Sequence, residues 1–351
     1  MKIANILLLV LVISCSCNKD KLEIPKWVDT RNQDFEPIKG VSYVATRNEI
    51  TATEMEPVKA VNANFIAVIP FALGTNGDPT LRFDDNHQWW GETVEGVRKT
   101  IEFAREQDQQ IMIKPQIWFR GGLYTGNFEL DNEKDWSEFE ENYSRYIKKF
   151  AVIAEETNSE IFCIGTELET FIENRPKYWK DLIAELRTIY AGKLTYAANW
   201  DAYKRTWIWG DLDLIGIDAY FPLSDEKVVT KDSLVKGWKP WIKEMKQVSE
   251  QFDKKVLLAE CGYRNVEFAG KKPWESDNDG RVENQNNQKI LYQVMFEEVW
   301  SQSFVVGGFI WKWFPQHSQT GGVGDLGFTP QNKLAEEELR YQYSLVHTLD
   351  E

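Results

Sequence analysis

Apolar residues in this chain gather into eight short continuous runs, at 39–44, 64–70, 111–118, 160–165, 193–198, 212–219, 255–259 and 305–311. Each has the length of a β-strand. Continuous rather than alternating apolar character marks strands that are covered on both faces. Between the runs the period changes. Trp136, Phe139, Tyr143, Ile147, Phe150 and Ala154 recur every three or four positions, as do Leu234, Trp238, Trp241, Met245, Val248 and Phe252. That spacing lays an apolar stripe along one side of a helix. Weaker stripes occupy 92–105, 178–190 and 284–300, and a last one at 334–346 closes the chain. Eight strands, each followed by a helix or by a loop long enough to hold one, predict an α/β chain folded as a single-domain (β/α)8 TIM barrel. That single domain is expected over 36–351, without internal repeats or interdomain linkers.

The first residues follow a different logic. Met1-Lys2 leads into an apolar stretch at 3–13, too short to span a bilayer and laid out like a secretory signal. The tetrad Val12-Ile13-Ser14-Cys15 resembles a bacterial lipobox, which predicts a signal over 1–14, lipidation of Cys15 and a polar tether over 15–35. Cys17 is the rival site, and an ordinary cleaved signal is the alternative. No later run is long and apolar enough to cross a membrane, so the expected attachment to the bacterial envelope is by lipid alone.

Composition narrows the chemistry. A formal net charge of −14 argues against nucleic acid or an anionic polymer as partner. His87, His317 and His347 have no ligand spacing, and no metal or other cofactor is expected. Cys163 and Cys261 lie within apolar runs and are expected as packed thiols. With 15 Trp and 13 Tyr, many after the apolar runs, the chain is rich in flat rings able to pack on the C–H faces of sugars.

Two runs end in a glutamate: Ile161-Phe162-Cys163-Ile164-Gly165-Thr166-Glu167 and Val256-Leu257-Leu258-Ala259-Glu260. A carboxylate at the end of a buried strand is costly unless the polar end of the sheet uses it. In a barrel, catalytic groups sit at the C-terminal ends of strands, and the count places Glu167 after the fourth and Glu260 after the seventh. Two opposed carboxyls on a rigid frame are the equipment of glycoside hydrolysis. Glu169, one repeat further on, competes with Glu167, and Gly165-Thr166 reads as room for a substrate to approach. Other strand ends carry Lys114, Gln116, Asn199, Trp200, Asp218, Tyr220, Trp311 and Trp313. Tyr220 is expected to hydrogen-bond the nucleophile, Trp311 to floor the cleft, and Lys114 and Asn199 to contact substrate. Asp218 is the weaker candidate for a catalytic carboxyl. Gly322-Val323-Gly324-Asp325-Leu326-Gly327 has the spacing of a dinucleotide fingerprint but opens no helix, and Asp277-Asn278-Asp279-Gly280 lacks the rest of a calcium loop, so both read as turns.

Ile164-Gly165-Thr166-Glu167-Leu168, the run Leu194-Thr195-Tyr196-Ala197-Ala198-Asn199-Trp200, Gly216-Ile217-Asp218-Ala219-Tyr220-Phe221-Pro222-Leu223, Glu260-Cys261-Gly262-Tyr263-Arg264 and Pro273-Trp274 together resemble glycoside hydrolase family 113. The resemblance runs from about Gly40 to Lys333. It implies a retaining clan A (β/α)8 hydrolase acting as an endo-β-1,4-mannanase on a mannan-type polysaccharide or oligosaccharide. Carried over, Glu167 matches the acid/base and Glu260 the nucleophile, with Thr166 where many clan members have Asn. It also implies a cis peptide after Trp311. The alternatives are a hydrolase of another β-linked hexose polymer and a non-catalytic glycan-binding surface lipoprotein.

Overall fold

A computed structural model describes residues 37–345. The expected signal, Cys15, Cys17, the expected tether to residue 35 and residue 346 of the last predicted stripe lie outside this range. Eight strands form a closed, all-parallel barrel. In chain order these are β1 (Ile38–Tyr43), β2 (Phe65–Val68), β4 (Gln110–Ile113), β6 (Ile161–Thr166), β7 (Lys193–Asn199), β8 (Leu214–Asp218), β9 (Lys255–Cys261) and β10 (Val305–Trp313). Two further strands, β3 (Phe71–Thr75) and β5 (Gln116–Arg120), pair only with each other. The helices are α1 (Glu56–Ala60), α2 (Val94–Arg105), α3 (Glu133–Glu156), α4 (Glu169–Asn174), α5 (Pro176–Ile189), α6 (Lys231–Phe252), α7 (Gln285–Met295) and α8 (Leu334–Ser344). This is the (β/α)8 barrel that the periodicity predicts.

The continuous apolar runs divide by parity. Ile161 and Cys163 of β6 and Leu257 and Ala259 of β9 join Phe65, Met112 and Phe309 in an inner cluster that fills the barrel. Phe162, Ile164, Val256 and Leu258 join the larger cluster between strands and helices. Both faces of each strand are therefore apolar, which is why no alternation is visible in the sequence. At the other end of the barrel from the glutamates, Arg105 of α2 holds Glu160 with paired bonds of 2.8 and 3.0 Å, and Glu160 accepts the Ile111 N–H at 2.7 Å.

One predicted strand is two. The run at 111–118 is interrupted by Pro115, and its neighbour ends at Pro70, so each chain loses an N–H at the same level of the ladder. Pairing resumes beyond, from Gln116 N–H to the Pro70 carbonyl at 3.0 Å, but now as the separate β3–β5 ribbon above the barrel mouth. Short helices α1 and α4 also escape the sequence reading, because a single turn or two carries no measurable period. Cys163 and Cys261 are buried free thiols, as expected.

Candidate functional site

Both glutamate-bearing strands are irregular at the level of the glutamate. Along β9, Ile217 faces Leu258 but Asp218 faces Glu260, so one residue of β9 is unmatched. Simple alternation from Leu257 and Ala259 would turn Glu260 out toward the helices. The extra residue turns it inward, the usual effect of a bulge. Along β6, Cys163 faces Thr195 and Thr166 faces Ala197, again three positions against two. Gly165 consequently faces the helices rather than the cleft: a Cβ there would sit 2.7 Å from the Tyr143 hydroxyl and 3.1 Å from Trp179. Its smallness serves packing, not substrate approach, which corrects the sequence expectation. Thr166 takes the cleft side.

Glu167 follows with a left-handed backbone (φ 49°). A non-glycine residue there costs about 1–3 kcal/mol and persists only when its surroundings fix it. The fixing bonds are present: Glu167 N–H donates to the Ala197 carbonyl at 2.8 Å, and Leu168 N–H donates to the Tyr196 hydroxyl at 2.6 Å.

Glu167 and Glu260 line one cleft of about 580 Å³ at the barrel mouth, together with Gln116, Asn199, Asp218, Tyr220 and Trp311. Their surroundings differ sharply. Among the described residues the Glu167 carboxyl has no hydrogen-bond partner. Burial first, then the charges of Asp218, Glu260 and Glu169, raise it well above the usual glutamate range, against the opposing pull of Lys114. Three donors converge on Glu260. Lys114 Nζ and Gln116 Nε2 bond Oε1, the latter at 2.6 Å, and the Tyr220 hydroxyl bonds Oε2 at 2.8 Å. Burial, followed by the charges of Glu260 and Asp218, raises the Tyr220 hydroxyl well above its usual value and so keeps it a donor.

Lys114 corrects another expectation. It follows Met112 by two and so points into the barrel, but it is fully buried beneath the cleft and does not line it. Besides Glu260, its Nζ lies 3.5 Å from Asp218 Oδ1. Burial alone would lower this ammonium, but the Asp218 and Glu260 charges outweigh it and the net shift is upward. Asp218 is wholly buried, and among the described residues neither of its carboxyl oxygens has a hydrogen-bond partner. Burial and then Glu260 push it well above the usual range despite Lys114. Two carboxyls that burial favours in the neutral form, Glu167 and Asp218, thus flank a third, Glu260, that three donors hold in place.

Glu169 is not part of the cleft lining. It opens α4, accepts the Tyr124 hydroxyl at 2.9 Å, and packs so closely on Gly126 that no Cβ fits there. Asn199 ends β7 on the cleft side. Trp311 is half-buried with a cis peptide to Lys312, whereas Trp313 is fully buried in the outer core. The glycine-rich run at 322–327 and the turn at 277–280 form loops, and no cluster among the described residues could hold a metal ion. Tyr124, Asp201, Ser276 and Phe328 also line the cleft, as does Trp274, which the sequence reading noted only in a motif. All lie on loops, where neither period of the chain reports a facing direction.

The chain matches the profile of Glycoside Hydrolase Family 113 over residues 42–333. A solved family 113 β-mannanase from Alicyclobacillus acidocaldarius, in complex with ManMIm, superposes with a TM-score of 0.77 at 21% identity, covering 89% of this chain and 98% of that one. A second solved structure, a complex of a family 113 β-1,4-mannanase, gives a TM-score of 0.73 at 25% identity over 88% of this chain and 99% of that one. The β-glucuronidase of Ruminococcus gnavus shares the fold at 16% identity and a TM-score of 0.56, with 83% of this chain and 46% of that chain covered. No curated protein matches the chain. This chain belongs to Glycoside Hydrolase Family 113.

Proposed function

We propose that this family member is a retaining β-glycoside hydrolase, an endo-β-1,4-mannanase in which Glu260 is the nucleophile and Glu167 the acid/base. The observation that carries the reading is the asymmetry of the pair: three donors on Glu260, none on Glu167. A carboxylate aimed and bonded in this way suits attack on the anomeric carbon. A carboxyl that burial keeps protonated suits donation to the departing glycosidic oxygen. The C1–O bond to the leaving sugar breaks as the Glu260 ester forms. Glu167, now ionised, takes a proton from water, and that water displaces Glu260 from C1.

Around this pair, Tyr220 and Lys114 hold the nucleophile, Lys114 acting on the substrate through Glu260 rather than by contact. Asn199 bonds a sugar hydroxyl and Trp311 supports the ring that is cleaved. Mannan is the favoured substrate because the two family structures that resemble the chain over most of its length are described as a β-mannanase and a β-1,4-mannanase. The test is reducing-end release from mannan, glucomannan, xylan and cellulose, with the anomer of the first product read by NMR. Release from the mannans with the β-anomer first is expected. Release from none of the four, or the α-anomer first, overturns the proposal.

The enzyme is further proposed to work from the bacterial envelope, held by lipid on Cys15, with the segment to residue 35 as its tether. One acyl chain binds a membrane only marginally, so stable attachment requires two or more. Mass spectrometry of the mature N-terminus decides it: a lipidated Cys15 is expected, and an unmodified peptide beginning after Cys17 would show an ordinary secreted enzyme.

A further inference from the structure

The cleft wall beyond Glu167 is aromatic in a particular way. Trp200 leaves the end of β7, directly after Asn199, and β7 is the strand that holds Glu167 in place through the Ala197 carbonyl. Trp274 comes from a different element, the long loop after β9, yet it lies flat on Trp200 with ring centroids 5.1 Å apart and planes 17° apart. Both rings line the cleft. Trp200 is further wedged edge-on by Trp241 at 5.6 Å, so one member of the pair is fixed from behind. Trp274 itself remains 42% exposed. A tryptophan on a surface loop ordinarily needs no explanation. One held flat against a buttressed partner, at the mouth of the cleft, keeps a broad apolar face turned to water.

The loop is pinned on either side of that ring: before it, the Gly270 carbonyl accepts the Leu223 N–H at 2.7 Å. Arg264, almost wholly buried, donates to the Asp277 carbonyl, and Arg281 pairs with both Glu275 and Asp277, the latter at 3.0 Å. The segment after Trp274 is thus folded on itself and tied to Arg264, three residues past β9. Rigid aromatic surface binds at low entropic expense, because no side chain has to be ordered when the ligand arrives.

From this geometry we propose that Trp274, backed by Trp200, is the stacking platform for the first sugar on the leaving-group side of the scissile bond. The inference rests on the function proposed above, since it takes Glu167 as the acid. The proton donor must sit beside the oxygen that departs, so the departing sugar lies on the Glu167 side of the cleft. The Trp200–Trp274 pair rises there, next to β6 and β7. The ligand class is a neutral β-linked pyranoside whose C–H face covers the exposed indole. An anionic sugar gains nothing from this wall, which also carries Asp201.

The experiment compares two substrates that differ only on the leaving-group side: a β-1,4-manno-oligosaccharide, and a β-mannobiosyl fluoride whose leaving group has no ring to stack. The readout is the ratio of kcat/KM for the oligosaccharide to that for the fluoride. Trp274→Ala is expected to lower this ratio on the order of tenfold, and Trp274→Phe to restore most of it. A loop that merely supports the fold would lower both values together, and an unchanged ratio in Trp274→Ala overturns the platform. Failure of the wild-type protein to turn over either substrate overturns the proposed function instead.

Discussion

Tyr220 and Glu260 meet across the seam between β8 and β9, the phenolic hydroxyl donating to Oε2 at 2.8 Å. Tyr220 follows β8 by two residues, and Asp218 is the residue whose register against β9 skips to Glu260. The same irregularity therefore turns the glutamate inward and brings it to its donor. A hydrogen bond to a charged group contributes about 1.5–3 kcal/mol. Tyr220→Phe is expected to lower kcat roughly ten- to a hundredfold with little change in KM, since Lys114 and Gln116 remain on the other oxygen. Steady-state kinetics on a soluble manno-oligosaccharide check this, and an unaltered kcat would remove Tyr220 from the mechanism.

The two glutamates should fail differently. Glu260→Ala removes the proposed nucleophile, and turnover should vanish unless azide enters the space and gives a glycosyl azide of inverted configuration. Glu167→Ala removes the proton that a poor leaving group needs, so substrates with activated leaving groups should keep their first step. Product analysis with and without azide separates the two. Equal loss on all substrates, with no rescue in either variant, would contradict the assignment of roles.

Burial of Glu167 also has a signature in stability. Its folded-state value lies well above the ordinary 4.5, so between those two points the folded protein holds a proton that the unfolded chain releases. Stability from this group is present in full below the unfolded value and is lost as pH rises through the folded one. Glu167→Gln cannot ionise and escapes that loss. It should melt about 2–4 °C above the wild type at neutral pH, with the gap closing below about pH 4, while hydrolysis of mannan disappears. Calorimetry across that range reads it; a variant less stable at neutral pH would show that the carboxyl is not held neutral. In the wild type, activity should fall on the alkaline side as Glu167 loses its proton.

Trp311 and Trp313 share a strand but not a fate. Trp311 lines the cleft and is half-buried, whereas Trp313 is 0% exposed within the outer core. Trp311→Ala should cut activity at least tenfold with a folded, cooperative melt. Trp313→Ala should lose about 3–5 kcal/mol of stability, the usual loss for a large buried aromatic ring. Paired thermal melts and kinetics decide between them, and the opposite pattern would exchange their roles.

Much of this protein was legible in one dimension because its layers repeat. Apolar runs such as 193–198 and 212–219 are continuous because inner and outer faces are both covered, and that is a property of composition along the chain. The heavy stripe from Trp136 to Ala154 needs only one period to declare a helix. The glutamates at 167 and 260 stand out because a charge at the end of an apolar run is expensive, and the short motifs around them carry the family.

What the chain could not declare was direction. Alternation counted along β6 or β9 gives the wrong face beyond Cys163 and Ala259, because the extra residue that re-aims each strand exists only against its neighbour's ladder. Lys114 read as a substrate contact, yet the closed barrel buries it under the cleft between Glu260 and Asp218. Gly165 read as an open approach, yet it makes room for Tyr143 and Trp179 behind the strand. Trp274 met Trp200 only when a loop folded back across two strands. Periodicity is local and survives in the sequence. The partners that give each carboxyl its surroundings lie far apart along the chain and close in space, so only the tertiary structure could supply them.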